Sequence, residues 1–145
     1  MKGYVPVFPR VLWGVLVVLF LSGVILVPGA LELRGELDVP WRLPGGTRVL
    51  TAAVHAAAAF AFCGVLGALA VIHMRAGWRR KKHRLSGVTL ASFMGALVAT
   101  GWGVYYAGER SASFVSFTHM VLGVGGVVAV VVHFVRAKRR AARAV

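Results

Sequence analysis

Carboxylates are nearly missing from this chain. Four acidic residues, Glu32, Glu36, Asp38 and Glu109, stand against seventeen lysines and arginines among 145 residues. None of the four falls inside the long apolar runs, so a proton relay built on Asp or Glu within those runs is excluded. Cysteine is rarer still. Cys63 stands alone, so the chain cannot form an internal disulfide or supply the thiolates of an iron–sulfur cluster. There is no C-x-x-C-H for covalent attachment of a c-type haem. Charge of either sign is absent from four windows, residues 11–30, 49–74, 85–108 and 111–135.

Those four windows set the class of the protein. Each has about 20 residues or more, enough to cross a ~30 Å hydrocarbon layer as a helix. The composition agrees, with 59% hydrophobic residues and a mean hydropathy of +0.79. A soluble domain sits nearer 45–50% apolar. The expectation is an all-α integral membrane four-helix bundle, one transmembrane domain over residues 1–145. Its spans are expected at about 11–30, 49–74, 85–108 and 113–136. The first thirty residues resemble a secretory signal, but Pro28 stands where a small residue is wanted before cleavage at Ala30. The segment is therefore expected to remain as the first span, ending at Pro28-Gly29.

A net charge of +13 suits nucleic acid until its placement is examined. Lys2 and Arg10 precede span one. Arg75, Arg79, Arg80, Lys81, Lys82 and Arg84 fill the second loop. Arg136, Lys138, Arg139, Arg140 and Arg143 follow span four. These thirteen bases have no acid among them. The first and third loops hold Arg34, Arg42, Arg48 and Arg110 against the four acids, a net of zero. All the excess charge lies on one side of the spans, as the positive-inside rule requires. Both termini are expected in the cytoplasm, and no nucleic-acid partner is expected.

The apolar runs carry four histidines. A polar ring in hydrocarbon is costly unless something binds it. His55 and His73 are 18 residues apart on span two, which is five full turns at 100° per residue. His119 and His133 are 14 apart on span four, within about 40° of alignment, and a slight left-handed coil closes that gap. Spans two and four run in the same direction. His55 and His119 thus fall at similar depth near the outer face, His73 and His133 near the inner face. Zinc wants three or four ligands in one place, whereas these imidazoles come in twos. Two axial imidazoles in an apolar slot suit a low-spin haem. Gly123 and Gly126 share the histidine stripe on span four, Ala58 and Ala59 lie beside His55, and Phe62 and Leu66 fill the gap between the two levels. Arg48, seven residues before His55, and Arg80, seven after His73, can meet haem propionates or serve as plain interfacial anchors. A weak internal repeat is also visible. "LSGVILVP" in span one and "ATGWGVYY" in span three each carry a hydroxyl residue and a glycine late in the helix, and each is followed by a helix with an early and a late histidine.

With "VH" at His55, "IHMR" at His73, "THMVLG" at His119, "VHFVR" at His133 and the "TGWGVYY" before them, the chain resembles the bacterial di-haem b-type membrane cytochromes. These include the cytochrome b-561-type proteins and the cytochrome b subunits of hydrogenases and formate dehydrogenases. The resemblance covers nearly the whole chain. It implies two haem b groups with His55, His119, His73 and His133 as axial ligands, in the bacterial inner membrane. It also implies electron transfer between a quinone and a redox partner, as one subunit of a complex rather than an enzyme alone. The outer loop 31–48 is the natural docking surface for a periplasmic electron-transfer protein. The 18-residue spacing on span two departs from the 14 on span four, with rises of about 27 and 21 Å. Tilt, or a bulge near Gly64 or Gly67, must absorb the difference, or His83 replaces His73 as a ligand. The competing reading is a non-redox structural or assembly subunit whose histidines tie helices together.

A quinone site needs an apolar or aromatic slot and a group that takes a proton. Span three ends in Trp102, Tyr105 and Tyr106, and Glu109 follows. Tyr105 and Glu109 are the candidates, although aromatic residues at a helix end are also ordinary interface anchors. The charge count predicts the topology directly. A reporter fused after Val145 should be active in its cytoplasmic form and silent in its periplasmic form; periplasmic activity would reverse the orientation.

Overall fold

The computed structural model describes residues 6–79 and 84–142, without the side chains of His73, Arg140 and Ala141. The described residues form helices α1 (Phe8–Gly35), α2 (Gly45–Leu69), α3 (Arg75–Arg79), α4 (Arg84–Tyr106) and α5 (Glu109–Ala142). A π-helical turn at Ala70–Met74 joins α2 to α3, so Gly45–Arg79 is one helical run. Four helices are long and apolar enough to cross a membrane: Phe8–Gly35, Gly45–Arg79, Arg84–Tyr106 and Glu109–Arg139. The chain is all-α, with four candidate spans.

Two compact units divide the chain, Met1–Ile72 and His73–Val145. The first is a hairpin of α1 and α2. Ser22 meets His55, and Gly29 meets Arg48. As the numbering rises along one helix it falls along the other, so the pair is antiparallel. On α2 the face toward α1 repeats every seven residues, through Arg48, His55 and the buried Phe62. A seven-residue repeat keeps one stripe of a helix against its neighbour. The second unit is the hairpin of α4 and α5, turned by Ala107-Gly108 alone. Gly103 meets Val115, Gly101 meets His119, and Gly126 meets Met94 and Leu97. Its α5 face shows the same period, through His119, Gly126 and His133.

Glycine makes the second hairpin possible at two close approaches. A Cβ at Gly103 would stand 2.8 Å from Val115 Cγ1, and one at Gly125 would stand 2.8 Å from Phe93 Cε1. Both distances are too short for non-bonded carbon atoms, so the helices pack at a separation that a missing side chain allows.

Within each unit very little is enclosed. No large side chain among the described residues is fully buried, while Phe60 is 73%, Phe114 73% and Val121 71% exposed. Apolar surface on this scale is unstable in water. Backbone groups satisfied inside helices, with valine and phenylalanine facing outward, are what hydrocarbon requires. The chain is a multi-pass membrane protein.

The structure departs from the sequence reading at two places. First, α1 does not end at Pro28-Gly29; it continues to Gly35. Pro28 removes one helical donor, but membrane helices tolerate that loss. The helix stops instead at Glu36, whose left-handed φ of 53° lets its own N–H bond to Leu31 O. Second, the helix is regular at Gly64 and Gly67, and the bulge expected there is the π turn at Ala70–Met74. A π turn takes one residue more than an α turn. The count of five even turns between His55 and His73 therefore does not describe this helix. Gly126 also lets α4 approach α5, since a Cβ there would meet Leu97 and Met94 at 3.1 and 3.2 Å.

The start of α4 is clasped to α3. The Arg84 guanidinium lies 4.8 Å over the Trp78 ring, and its Nη2 donates to Trp78 O at 2.8 Å. Residues 80–83 between them lie outside the described residues.

A glycine pair tests the packing argument. Gly103→Ala should destabilise the protein by about 1–3 kcal/mol through overpacking. Gly95→Ala, where a Cβ meets nothing within 4 Å, should be neutral or stabilising by up to about 1 kcal/mol, the helix preference of Ala over Gly. Thermal melting of both variants in the same detergent separates them.

Candidate functional site

In the first hairpin the imidazole of His55 lies against α1. Its Nδ1 stands 2.9 Å from Ser22 Oγ. Ser22 is almost fully buried, and its oxygen is 2.6 Å from the carbonyl of Val18, one turn earlier. A hydroxyl has one hydrogen to give. The shorter of its contacts is to a carbonyl that can only accept, so the Ser22 hydrogen goes to Val18 O. Ser22 Oγ then accepts from His55 Nδ1–H. We assign His55 as the Nδ1–H tautomer, which leaves the ring lone pair on Nε2.

The second hairpin repeats this arrangement. Thr100 Oγ1 is 2.8 Å from Ala96 O, one turn earlier, and 2.9 Å from His119 Nδ1. The same bookkeeping of hydrogens gives the Nδ1–H tautomer at His119. In both hairpins the residue after the hydroxyl is glycine, and the ring edge rests on it. A Cβ at Gly23 would lie 3.2 Å from His55 Cε1, and one at Gly101 would lie 3.4 Å from His119 Cε1. Each hairpin thus holds an imidazole in a seat made of a hydroxyl residue and a glycine from the preceding helix.

Local sequence explains the seats. A serine or threonine in mid-helix can return its hydrogen to the carbonyl four residues back, which keeps the hydroxyl satisfied in an apolar setting. That leaves the oxygen as an acceptor facing the neighbouring helix. The following glycine removes the side chain that would hold the ring away.

The other candidate residues are placed less fully. His133 is half-buried, two repeats of seven beyond His119 on the face of α5 that packs on α4. His73 lies in the π turn Ala70–Met74, and its side chain is outside the description. Arg80 and His83 lie outside the described residues. Arg48 is half-buried, its Cδ beside Gly29. It borders an open depression of about 300 Å³ with Arg42, Leu43, Pro44 and Gly45. Arg42 is ion-paired with Glu32 across the loop. Tyr105 is 68% exposed near the end of α4. Glu109 is exposed in the first turn of α5, where a carboxylate complements the helix dipole.

Two contributors to this geometry escaped the sequence reading, namely Ser22 and Thr100 as imidazole partners. The recurring hydroxyl–glycine pairs carried the signal, but sequence alone gave them no partner. The arrangement limits the chemistry. Among the described residues no three His, Cys, Asp or Glu side chains gather into a metal-holding group. A seated imidazole with its lone pair on Nε2 can be an axial ligand, and the Nδ1–H···O bond behind it is the outer support that metal-bound histidines use. The residues present therefore fit a haem iron held by imidazoles. No protein-family model, characterised protein or solved structure matches this chain.

Proposed function

We propose that this chain is the di-haem b-type cytochrome subunit of a redox complex in the bacterial cytoplasmic membrane. Both termini are cytoplasmic, and electrons pass between the quinone pool and a redox partner, a periplasmic electron-transfer protein docking on the first loop. The observation that carries the reading is the pair of seats: two imidazoles, in two separate hairpins, each with Nδ1 2.9 Å from a hydroxyl oxygen of the preceding helix. Haem b supplies one-electron chemistry at its iron. The chain supplies everything else. His55, His119, His73 and His133 are the ligands, two for each of two haem b groups. Ser22 and Thr100 seat the rings, Gly23 and Gly101 admit them, and the apolar helices exclude water. Arg48 and Arg80 stand one repeat of seven from His55 and His73 in the sequence and are the cations for the propionates.

The hydrogen bonds between helices also favour a second reading, a structural or assembly subunit whose histidines only tie hairpins together. Interhelical bonds of this kind average about 0.6 kcal/mol. A tie between helices needs only one polar atom from the ring, and a serine or asparagine would serve. The haem reading accounts for both nitrogens. An optical spectrum of the purified protein separates the two readings. A cytochrome b spectrum with two haems per chain is expected, and a colourless preparation would leave the structural reading standing. His55→Ala, His119→Ala, His73→Ala and His133→Ala should each leave one haem. By the depth match in the sequence, the first two should lose the same one. If His73→Ala keeps both while His83→Ala loses one, the inner ligand is His83.

The quinone is proposed at the end of α4, where the exposed Tyr105 offers an aromatic surface and Glu109 a proton acceptor. With both haems in place, Glu109→Gln and Tyr105→Phe should slow haem reduction by a quinol analogue. Unchanged rates in both would move the quinone to the opposite face or to a partner subunit.

A further inference from the structure

The two seats share a design that the proposed function does not by itself require. Their hydroxyls differ, serine in one and threonine in the other, yet each oxygen stands 2.9 Å from its imidazole Nδ1. Each donates its hydrogen to the carbonyl one turn earlier, at 2.6 and 2.8 Å. Each is followed by a glycine against which the ring Cε1 rests. The two hairpins thus reach the same geometry with different residues, so the hydroxyl matters and the methyl group beside it does not.

We infer that Ser22–Gly23 and Thr100–Gly101 are positioning pairs that lock His55 and His119 in the Nδ1–H tautomer, and so dictate that Nε2 is the nitrogen offered to a metal-centred ligand. The nature of that ligand rests on the haem reading; the lock itself does not. A neutral imidazole in an apolar medium chooses its tautomer by which nitrogen finds an acceptor. Ser22 Oγ can only be that acceptor, because its one hydrogen is committed to Val18 O. Thr100 is committed to Ala96 O in the same way. The glycine fixes the distance: with a Cβ 3.2 Å from Cε1 at Gly23, the ring would have to back away from the hydroxyl.

This makes an interchange rule. Ser22→Thr and Thr100→Ser should be silent, because each hairpin already works with the other's residue. Ser22→Ala and Thr100→Ala should release the tautomer of one histidine each and leave the other locked. Gly23→Ala should act like Ser22→Ala without removing any polar atom.

The test uses the full chain in lipid nanodiscs with ¹⁵N-labelled histidine, prepared from haem-depleted cells. The ring-nitrogen shifts report each tautomer. The His55 and His119 signals should both show Nδ1–H. Ser22→Ala should shift the His55 signal alone toward a mixture, the His119 signal serving as the internal control for folding, and Ser22→Thr should restore it. A His55 signal that stays fully Nδ1–H in Ser22→Ala, or that is already mixed in the unaltered chain, would overturn the proposal. The haem-loaded protein provides the second readout. Loss of the outer support at one site should weaken haem retention there by about 10–100-fold and move one midpoint potential, with no change in the interchange variants. Retention and potentials that do not move in Ser22→Ala and Thr100→Ala also count against the lock. If the tautomers respond as expected and the chain never binds haem, the lock stands and the haem reading falls.

Discussion

An imidazole placed among apolar helices must find an acceptor for its N–H, and it must find one that is not itself left wanting. An unsatisfied polar group in hydrocarbon costs several kcal/mol. The hydroxyl of Ser22 or Thr100 solves both halves of this problem, because it hands its hydrogen back to its own helix before it accepts from the ring. The remaining architecture follows from keeping that bond short. The helices must run antiparallel in a register that brings position 22 to 55 and position 100 to 119. A glycine must follow each hydroxyl. The seven-residue repeat must hold the ring on the face toward its neighbour. Gly103 and Gly126 serve the same end in the second hairpin, drawing α4 and α5 close enough for a hydroxyl to reach across.

How much of this was legible in the sequence depended on the kind of signal. The four spans were plain, because a charge inside a bilayer is costly wherever it falls and its absence over twenty residues is hard to produce otherwise. Helix ends were less plain. Pro28 reads as a stop in water, where a lost hydrogen bond ends a helix, but not in a membrane, where leaving the helix costs more than continuing it. The π turn was visible only as a mismatch between spacings of 18 and 14. The mismatch called for a bulge, but glycines drew attention to the wrong turn. Of the site, the histidines stood out for being polar where polarity is expensive. Ser22 and Thr100 did not, because a lone hydroxyl in a helix can satisfy itself and needs no partner to be tolerated. Only the fold shows which residues lie across from them.

The hairpins enclose little on their own, and this has an energetic meaning. Among the described residues, Leu12, Phe62 and Val65 in the first unit and Met94 and Ala112 in the second are the buried apolar ones. A water-soluble domain could not stand on so small a core. In a bilayer the apolar surface is already removed from water before helices associate, so close packing and a few polar ties decide the arrangement. Small residues at helix crossings therefore matter more here than large ones, and a methyl group added at Gly103 does more harm than one removed from an outward valine.

The hydrogen-bonded chain behind each imidazole has a direction. It runs from ring nitrogen to hydroxyl oxygen, and from hydroxyl hydrogen to the carbonyls of Val18 and Ala96. A peptide carbonyl has no hydrogen to hand on, so each chain is a blind alley for protons. A proton taken up at the ring cannot be passed down this route and released elsewhere. Whatever charge arrives at Nε2 must be met by polarisation of the seat rather than by proton movement through it. The seats are thus insulators in the proton sense, closed to proton passage through the hydroxyl-bearing helix.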